Sequence, residues 1–277
     1  MYARLIRFGF VPVVGLALIA AGCGGNGGGS KEKQKVAQKP APAPMPSAHT
    51  GAQLAVDSPA AGRVLTANSL PTAVSIRNFR VDCRYAGTPN RKGIGHYHIE
   101  LDHKLVNMYC KRGASISMQN VKPGAHSLSF IPAENDHADD LMAEKNTKFT
   151  YRPAKPLAPE TPLNASGKPS IRILSPKRGV TVHRSFDFTV APKNFRFSCA
   201  LYGKDNIRGY GHWHANVDST SKGMMGMGTM LGMSCQRTFH VSLAGIKPGQ
   251  HKFFAILEDD QHAPTPGAMA SVSLNVR

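Results

Sequence analysis

The chain has 277 residues, with 34 Lys and Arg against 17 Asp and Glu, a formal net charge of +17, 12 His, 5 Cys and 7% aromatic residues. That length exceeds the usual span of one domain and sets an expectation of two domains of roughly 100–150 residues. With 18% charged and 41% hydrophobic residues, the chain is neither a coiled coil nor a disordered acidic polymer, and no apolar run beyond the N-terminus is long enough to cross a bilayer.

At the N-terminus, Arg4 and Arg7 precede an apolar run from Phe8 to Ala21 that ends in small residues and Cys23. A positive n-region, an apolar h-region and a small-residue junction make residues 1–23 a secretory signal, too short for a durable membrane span. The junction Ile19-Ala20-Ala21-Gly22-Cys23 resembles a bacterial lipobox, with Ala20 where Leu is commonest. That resemblance implies a diacylated Cys23 that anchors the mature chain on the outer side of a bacterial membrane. Residues 24–52 run through a Gly-rich stretch, a Lys-rich stretch and Pro40-Ala41-Pro42-Ala43-Pro44, the composition of a flexible tether. Removing the signal takes away two Arg and no acid, leaving +15. An exported chain so charged is drawn to lipid headgroups or an anionic envelope polymer, or is simply kept soluble by its charge. No nucleic-acid motif is present, and none is expected as a partner.

Beyond residue 52 the chain repeats itself. Asn78 to Cys83 matches Asn194 to Cys199, and Gly95-His96-Tyr97-His98 with Asp102 matches Gly211-His212-Trp213-His214 with Asp218. Cys110 answers Cys235, Val121 to His126 answers Ile246 to His251, and Glu134 to His137 answers Glu258 to His262. The offset is 116 residues as far as the Asp and 125 from the second Cys onward, so the second copy carries a nine-residue insertion. A period this long means two tandem domains, residues 53–152 and 170–277, rather than a solenoid. The Pro-rich residues 153–169 between them forbid regular helix and read as a semi-rigid linker.

Within each copy the signal is strand-like. Residues 73–76, 97–101 and 126–130, then 186–190, 213–217, 251–257 and 270–276, are short and largely β-favouring, with Pro-Gly turns between several of them. The expected fold is all-β: two tandem immunoglobulin-like antiparallel β-sandwiches. A short helical hint lies near Asp139 to Lys145. In an oxidising compartment the natural disulfides are Cys83–Cys110 and Cys199–Cys235, one per copy, with Cys23 left over.

Four histidines recur in each copy: His96, His98, His126 and His137, then His212, His214, His251 and His262. On a strand, residues i and i+2 share a face, so each His-x-His pair aims together. If the strands carrying the other two lie alongside, several imidazoles converge as ligands for copper or zinc, with Asp102 and Asp218 fixing tautomers from behind. The competing reading is a structural network in which the rings stack on Tyr97 or Trp213, or bond an Asp across a loop. The insertion adds Met224, Met225, Met227, Met230 and Met233 among glycines. Thioethers suit Cu⁺, while an apolar loop covering a sandwich edge would use the same residues.

The order Ser-Pro-x-x-Gly, Gly-x-Gly-His-x-His, Lys-Pro-Gly-x-His and an acidic stretch ending in His resembles a small bacterial domain family of unknown function found in exported and periplasmic proteins. The resemblance covers nearly all of residues 53–277 and implies a β-sandwich and export, with no settled activity or ligand. Gly-x-His-x-His also resembles a segment of copper–zinc superoxide dismutase, but that enzyme's downstream pattern is missing and its activity is not carried across. No Gly-x-Ser-x-Gly elbow, phosphate loop or dinucleotide fingerprint is present.

The expected function is therefore a non-enzymatic, membrane-anchored envelope binding or interaction module, with copper or zinc held through clustered His, and Met in copy two, as an option within it. The alternative is a basic surface module that holds an anionic polymer or another envelope protein, with architectural histidines. A metalloenzyme requires a histidine cluster open to solvent with a free coordination position.

Overall fold

The structure, a computed structural model, describes residues 48–277. The signal segment, Cys23 and the tether as far as Ser47 lie outside the described residues. Copy one contains β1 (Gln53–Ser58), β2 (Arg63–Leu65), β3 (Ser69–Arg77), β4 (Arg80–Val81), β5 (Ile94–Leu101), β6 (Lys104–Tyr109), β7 (Gly113–Ser117), β8 (Gly124–Ala133) and β9 (Lys145–Tyr151). Copy two repeats them in order as β10 (Ser170–Ser175), β11 (Thr181–Val182), β12 (Ser185–Lys193), β13 (Arg196–Phe197), β14 (Tyr210–Val217), β15 (Met230–Ser234), β16 (Thr238–Ser242), β17 (Gly249–Glu258) and β18 (Pro264–Val276).

The topology repeats strand for strand. A three-stranded sheet, β1-β3-β7 or β10-β12-β16, accompanies a six-stranded one. The larger sheet runs β2-β9-β8-β5-β4 with β6 on β5, or β11-β18-β17-β14-β13 with β15 on β14. Each copy is an immunoglobulin-like sandwich whose longer pairings are antiparallel. Both disulfides form as the cysteine spacing predicts, each with a Cα–Cα distance of 5.2 Å.

Alternation builds the two cores. On β3, Leu70, Thr72, Val74 and Ile76 point inward while their neighbours face water or its margin. On β5, Tyr97, Ile99 and Leu101 fill the core of copy one. Trp213 takes the place of Tyr97 in copy two, edge-on to Phe188 at 5.5 Å. Both large rings carry a polar handle that is satisfied the same way. Tyr97 donates to the Lys111 carbonyl at 2.7 Å and Trp213 to the Gln236 carbonyl at 2.8 Å, each just past the second cysteine.

The faces opposite the cores position the site. A strand of a two-layer sandwich ordinarily has one wet face, yet all eight residues of β14 are buried. The extra cover comes from loops of copy two itself: Tyr210 packs with Leu201 and Ile207, the Tyr202 ring meets His212, and Asn216 donates to the Gly226 carbonyl. The two copies also meet, within one compact unit. Tyr202, Met227, Met230 and Met233 of copy two join a single apolar cluster with Ala86, Val106 and Met108 of copy one. The Pro-rich segment forms no regular element and is strapped to both copies: Gln119 donates to the Ala158 carbonyl at 2.7 Å, and Leu163 N–H to the Arg208 carbonyl at 2.9 Å. The helical hint near Asp139 to Lys145 is a turn instead. The Asp140 carboxylate accepts from the Thr50 N–H and hydroxyl at 2.8 and 2.7 Å and from Ala143 N–H, which holds the backbone in a local side-chain-capped turn.

Removing Trp213 by substitution to Ala is expected to lower the unfolding free energy by about 3–5 kcal/mol in denaturant titrations. Tyr97→Phe, which loses only a hydrogen bond, should cost about 1 kcal/mol. Equal losses would contradict the assignment of both rings as core anchors.

Candidate metal centres

His96 and His98 share the face of β5 that points away from Tyr97 and Ile99. β8 runs antiparallel to β5, with Leu128 opposite Leu101 and Ala133 opposite His96. The chain leaving β8 therefore turns beside His96, and His137 returns to the same face. His212 and His214 on β14, with His262 after β17, repeat the arrangement. His137 and His262 both hold left-handed backbone, φ 64° and 63°. That conformation costs a residue with a Cβ roughly 1–2 kcal/mol, and it recurs at the same point of both copies.

Three ring nitrogens converge in each copy. His96 Nε2 lies 3.1 Å from His98 Nε2 and 3.0 Å from His137 Nδ1. His212 Nε2 lies 2.9 Å from both His214 Nε2 and His262 Nδ1, which are 3.4 Å apart. All six residues are at most 4% exposed.

Partners behind the rings decide which nitrogens carry hydrogen. His137 Nε2 is 2.7 Å from the Met230 carbonyl and His262 Nε2 is 2.9 Å from the Leu105 carbonyl. A carbonyl only accepts, so both rings donate outward and turn a bare Nδ1 inward. His98 Nδ1 likewise donates to Asp139 at 2.7 Å, leaving Nε2 bare. His96 Nε2 then faces two lone pairs and has at most one hydrogen to offer them. A cation between the three nitrogens satisfies all of them. A tetrahedral ion with bonds of about 2.0–2.1 Å holds its donor nitrogens about 3.3 Å apart, close to the spacing found.

Burial disfavours the charged form of His96, His137, His212, His214 and His262. It pushes His96, His212 and His214 well below the usual imidazole range, helped by the neighbouring histidines. For the same reason His137 falls to about 3 and His262 to about 4. Neutral imidazole is the form that binds metal.

The carboxylate behind the second His changes position between copies. In copy one it is Asp139, bridged across the strand pair to Ala133. In copy two Glu258 stands where copy one has Ala133, and Pro264 where it has Asp139; Glu258 Oε1 lies 3.6 Å from His214 Nδ1. Burial, with Asp259 nearby, raises Glu258 to about 9, so in the ion-free state this is a neutral pair beyond hydrogen-bond reach.

The other expected ligands lie elsewhere. His126 and His251 start β8 and β17, at the end of the sandwich away from His96 and His212. His126 bonds Asp102 at 2.6 Å and the Lys122 carbonyl at 2.8 Å; His251 bonds Asp218 and the Lys247 carbonyl at 2.7 and 2.8 Å. They pin the Lys-Pro-Gly turns, and so Asp102 and Asp218 serve those turns rather than the triads. Met227, Met230 and Met233 are packed in the apolar cluster shared with copy one, and the side chains of Met224 and Met225 are not described. Sequence reading missed Asp139, Glu258 and the Leu105 and Met230 carbonyls. Asp139 follows His137 by two residues, a signal that was available; backbone carbonyls leave none.

No protein-family model matches the chain, and no curated protein is similar to it. Among solved structures it is similar to the fibronectin(III)-like modules of Clostridium thermocellum CbhA, at 15% identity and a TM-score of 0.26 over 81% of this chain and 94% of that one. It is also similar to the N-terminal four Ig domains of Dscam1 isoform 4.44, at 10% identity and a TM-score of 0.21 over 82% and 46%. The chicken CNTN1 FN1–FN3 domains match at 8% identity and a TM-score of 0.22 over 78% and 64%. TM-scores this low carry no argument, and the fold class rests on the sheet topology itself.

His126→Ala removes both bonds that fasten its turn and is expected to lower unfolding stability by about 1 kcal/mol. Metal titration of the same variant should match the unaltered protein, and weaker binding would place His126 in the centre after all.

Proposed function

We propose that this protein is an exported, lipid-anchored binding module that holds two transition-metal ions. His96, His98 and His137 hold one, and His212, His214 and His262 the other. The observation that supports this is the convergence of three ring nitrogens in both copies: His96 Nε2 is 3.0–3.1 Å from those of His98 and His137, and the three of copy two lie 2.9–3.4 Å apart. Imidazole sets of this kind suit Zn²⁺ and Cu²⁺. Met227, Met230 and Met233 are committed to packing, so the described side chains favour the imidazole ions over Cu⁺. The ligands are buried, which gives a bound ion no open route to substrate and favours ion holding over catalysis.

Two disulfides suit an oxidising compartment, and among the described residues no helix is long and apolar enough to cross a membrane. Cys23 supplies the anchor in this reading, and the surplus of Lys and Arg keeps the module near anionic envelope surfaces.

The test is calorimetric titration of the full-length mature chain, made in an oxidising compartment, with Zn²⁺ and Cu²⁺. Two ions per chain are expected, one after His96→Ala with His98→Ala, and none when His212→Ala and His214→Ala are added. An unchanged stoichiometry in those variants would refute the sites. Asp139→Asn should weaken the first site about 10–100-fold. Raising the salt from about 0.1 to 1 M should leave ion affinity nearly unchanged, whereas attachment to an anionic polymer would fall steeply.

A further inference from the structure

We infer that each metal centre is completed across the interface between the two copies, so that tight ion binding in one sandwich requires the other to be docked. This inference rests on the reading of the triads as metal sites and adds to it the element that controls them.

The link is reciprocal. His137 of copy one donates to the Met230 carbonyl of copy two, and His262 of copy two donates to the Leu105 carbonyl of copy one. Leu105 and Met230 are equivalent residues, 125 apart. Each lies on an edge strand: β6 pairs only with β5, and β15 only with β14. An edge strand has backbone acceptors to spare, and the imidazole of the opposite copy takes one. Without that acceptor the third ring loses the bond that fixes its tautomer and its aim. Losses of this kind weaken metal sites about 10–100-fold.

Two glycines allow the approach. Gly87 and Gly203 are equivalent, and both have left-handed φ, +72° and +65°. A Cβ on Gly87 would lie 2.7 Å from the Met230 carbonyl carbon, and one on Gly203 would lie 2.7 Å from the Leu105 oxygen. The backbones that carry the two acceptors are thus gripped where any side chain would push them away. Gly87 N–H donates to the Asn135 carbonyl and Gly203 N–H to that of Asp260, each two residues before the third histidine. Glycine loop, edge strand and ligand loop form one continuous contact, present twice. His137 also contributes to the lowering of His214, and His98 to that of His262, so the triads lie within electrostatic reach of each other.

By linkage, an ion that binds the docked form preferentially also stabilises docking. Loading and docking are therefore one equilibrium.

The experiment isolates the first site. In full-length chain carrying His212→Ala and His214→Ala, the one intact triad is that of copy one. Gly203→Val, in copy two, adds a neutral wedge against Leu105. Zn²⁺ affinity at the copy-one site should fall at least tenfold, and an unchanged affinity overturns the inference. Should the wedge variant fail to fold by circular dichroism, hydrogen exchange on the parent double variant decides the question. Zn²⁺ should then slow exchange of the β15 amides of copy two, and protection confined to copy one overturns the inference. If the unaltered protein binds neither Zn²⁺ nor Cu²⁺, the parent reading fails; if it binds them and ignores the wedge, only this inference does.

Discussion

Three ring nitrogens crowded onto one point with too few hydrogens between them are mutually unfavourable, and a fold that buries such a set twice must brace it from outside. Here the bracing is explicit. Two carbonyls and one carboxylate orient His137, His262 and His98 outward, so their remaining nitrogens turn inward. The same constraint accounts for the left-handed backbone at both third histidines. Purely structural histidines would be expected to pair donor with acceptor and exhaust their hydrogens. Here only His98, His137 and His262 have such a partner behind the ring, His96 Nδ1 and His212 Nδ1 have none among the described residues, and the inner nitrogens are crowded, which is the behaviour of ligands.

The arrangement of the copies follows from the bracing. Contacts from copy one to copy two recur with the roles exchanged: His137 to Met230 and His262 to Leu105, Gly87 to Met230 and Gly203 to Leu105. Self-complementary contacts of this kind define an isologous dimer interface, here written within a single chain. The disulfides belong to the same device. Cys83–Cys110 and Cys199–Cys235 tie the loop that leads to each glycine to the end of the edge strand that offers the carbonyl. The methionine-bearing insertion gives this interface its one large departure from symmetry, packing Met227 into the cluster of copy one.

Much of this was legible in the sequence, and for identifiable reasons. The duplication set which cysteines pair, and period two set His96 and His98 on one face. Strand order was needed to choose the third ligand: antiparallel pairing of β5 with β8 carries His137 to His96 and His126 to the opposite end. Docking was not legible, because it runs through the backbone carbonyls of Leu105 and Met230 and through Gly87 and Gly203, which leave no side-chain pattern to read. Asp139 and Glu258 occupy non-equivalent positions and so escaped a comparison of the copies, although across the strand pair both stand near the second histidine. The methionines were read either as soft donors or as an apolar covering loop, chemistry that residue type alone does not separate; Met227, Met230 and Met233 lie in the cluster that joins the copies.

The account stands or falls on the ions themselves. The most direct measurement is anomalous diffraction from crystals of the full-length mature chain grown with Zn²⁺, collected on both sides of the zinc edge. Two peaks per chain are predicted, each about 2.0–2.1 Å from three imidazole nitrogens, one set from His96, His98 and His137 and the other from His212, His214 and His262. Anomalous density only at residues outside the triads, such as the half-buried His126 or the exposed His240, with both triads clear of it, would contradict the account.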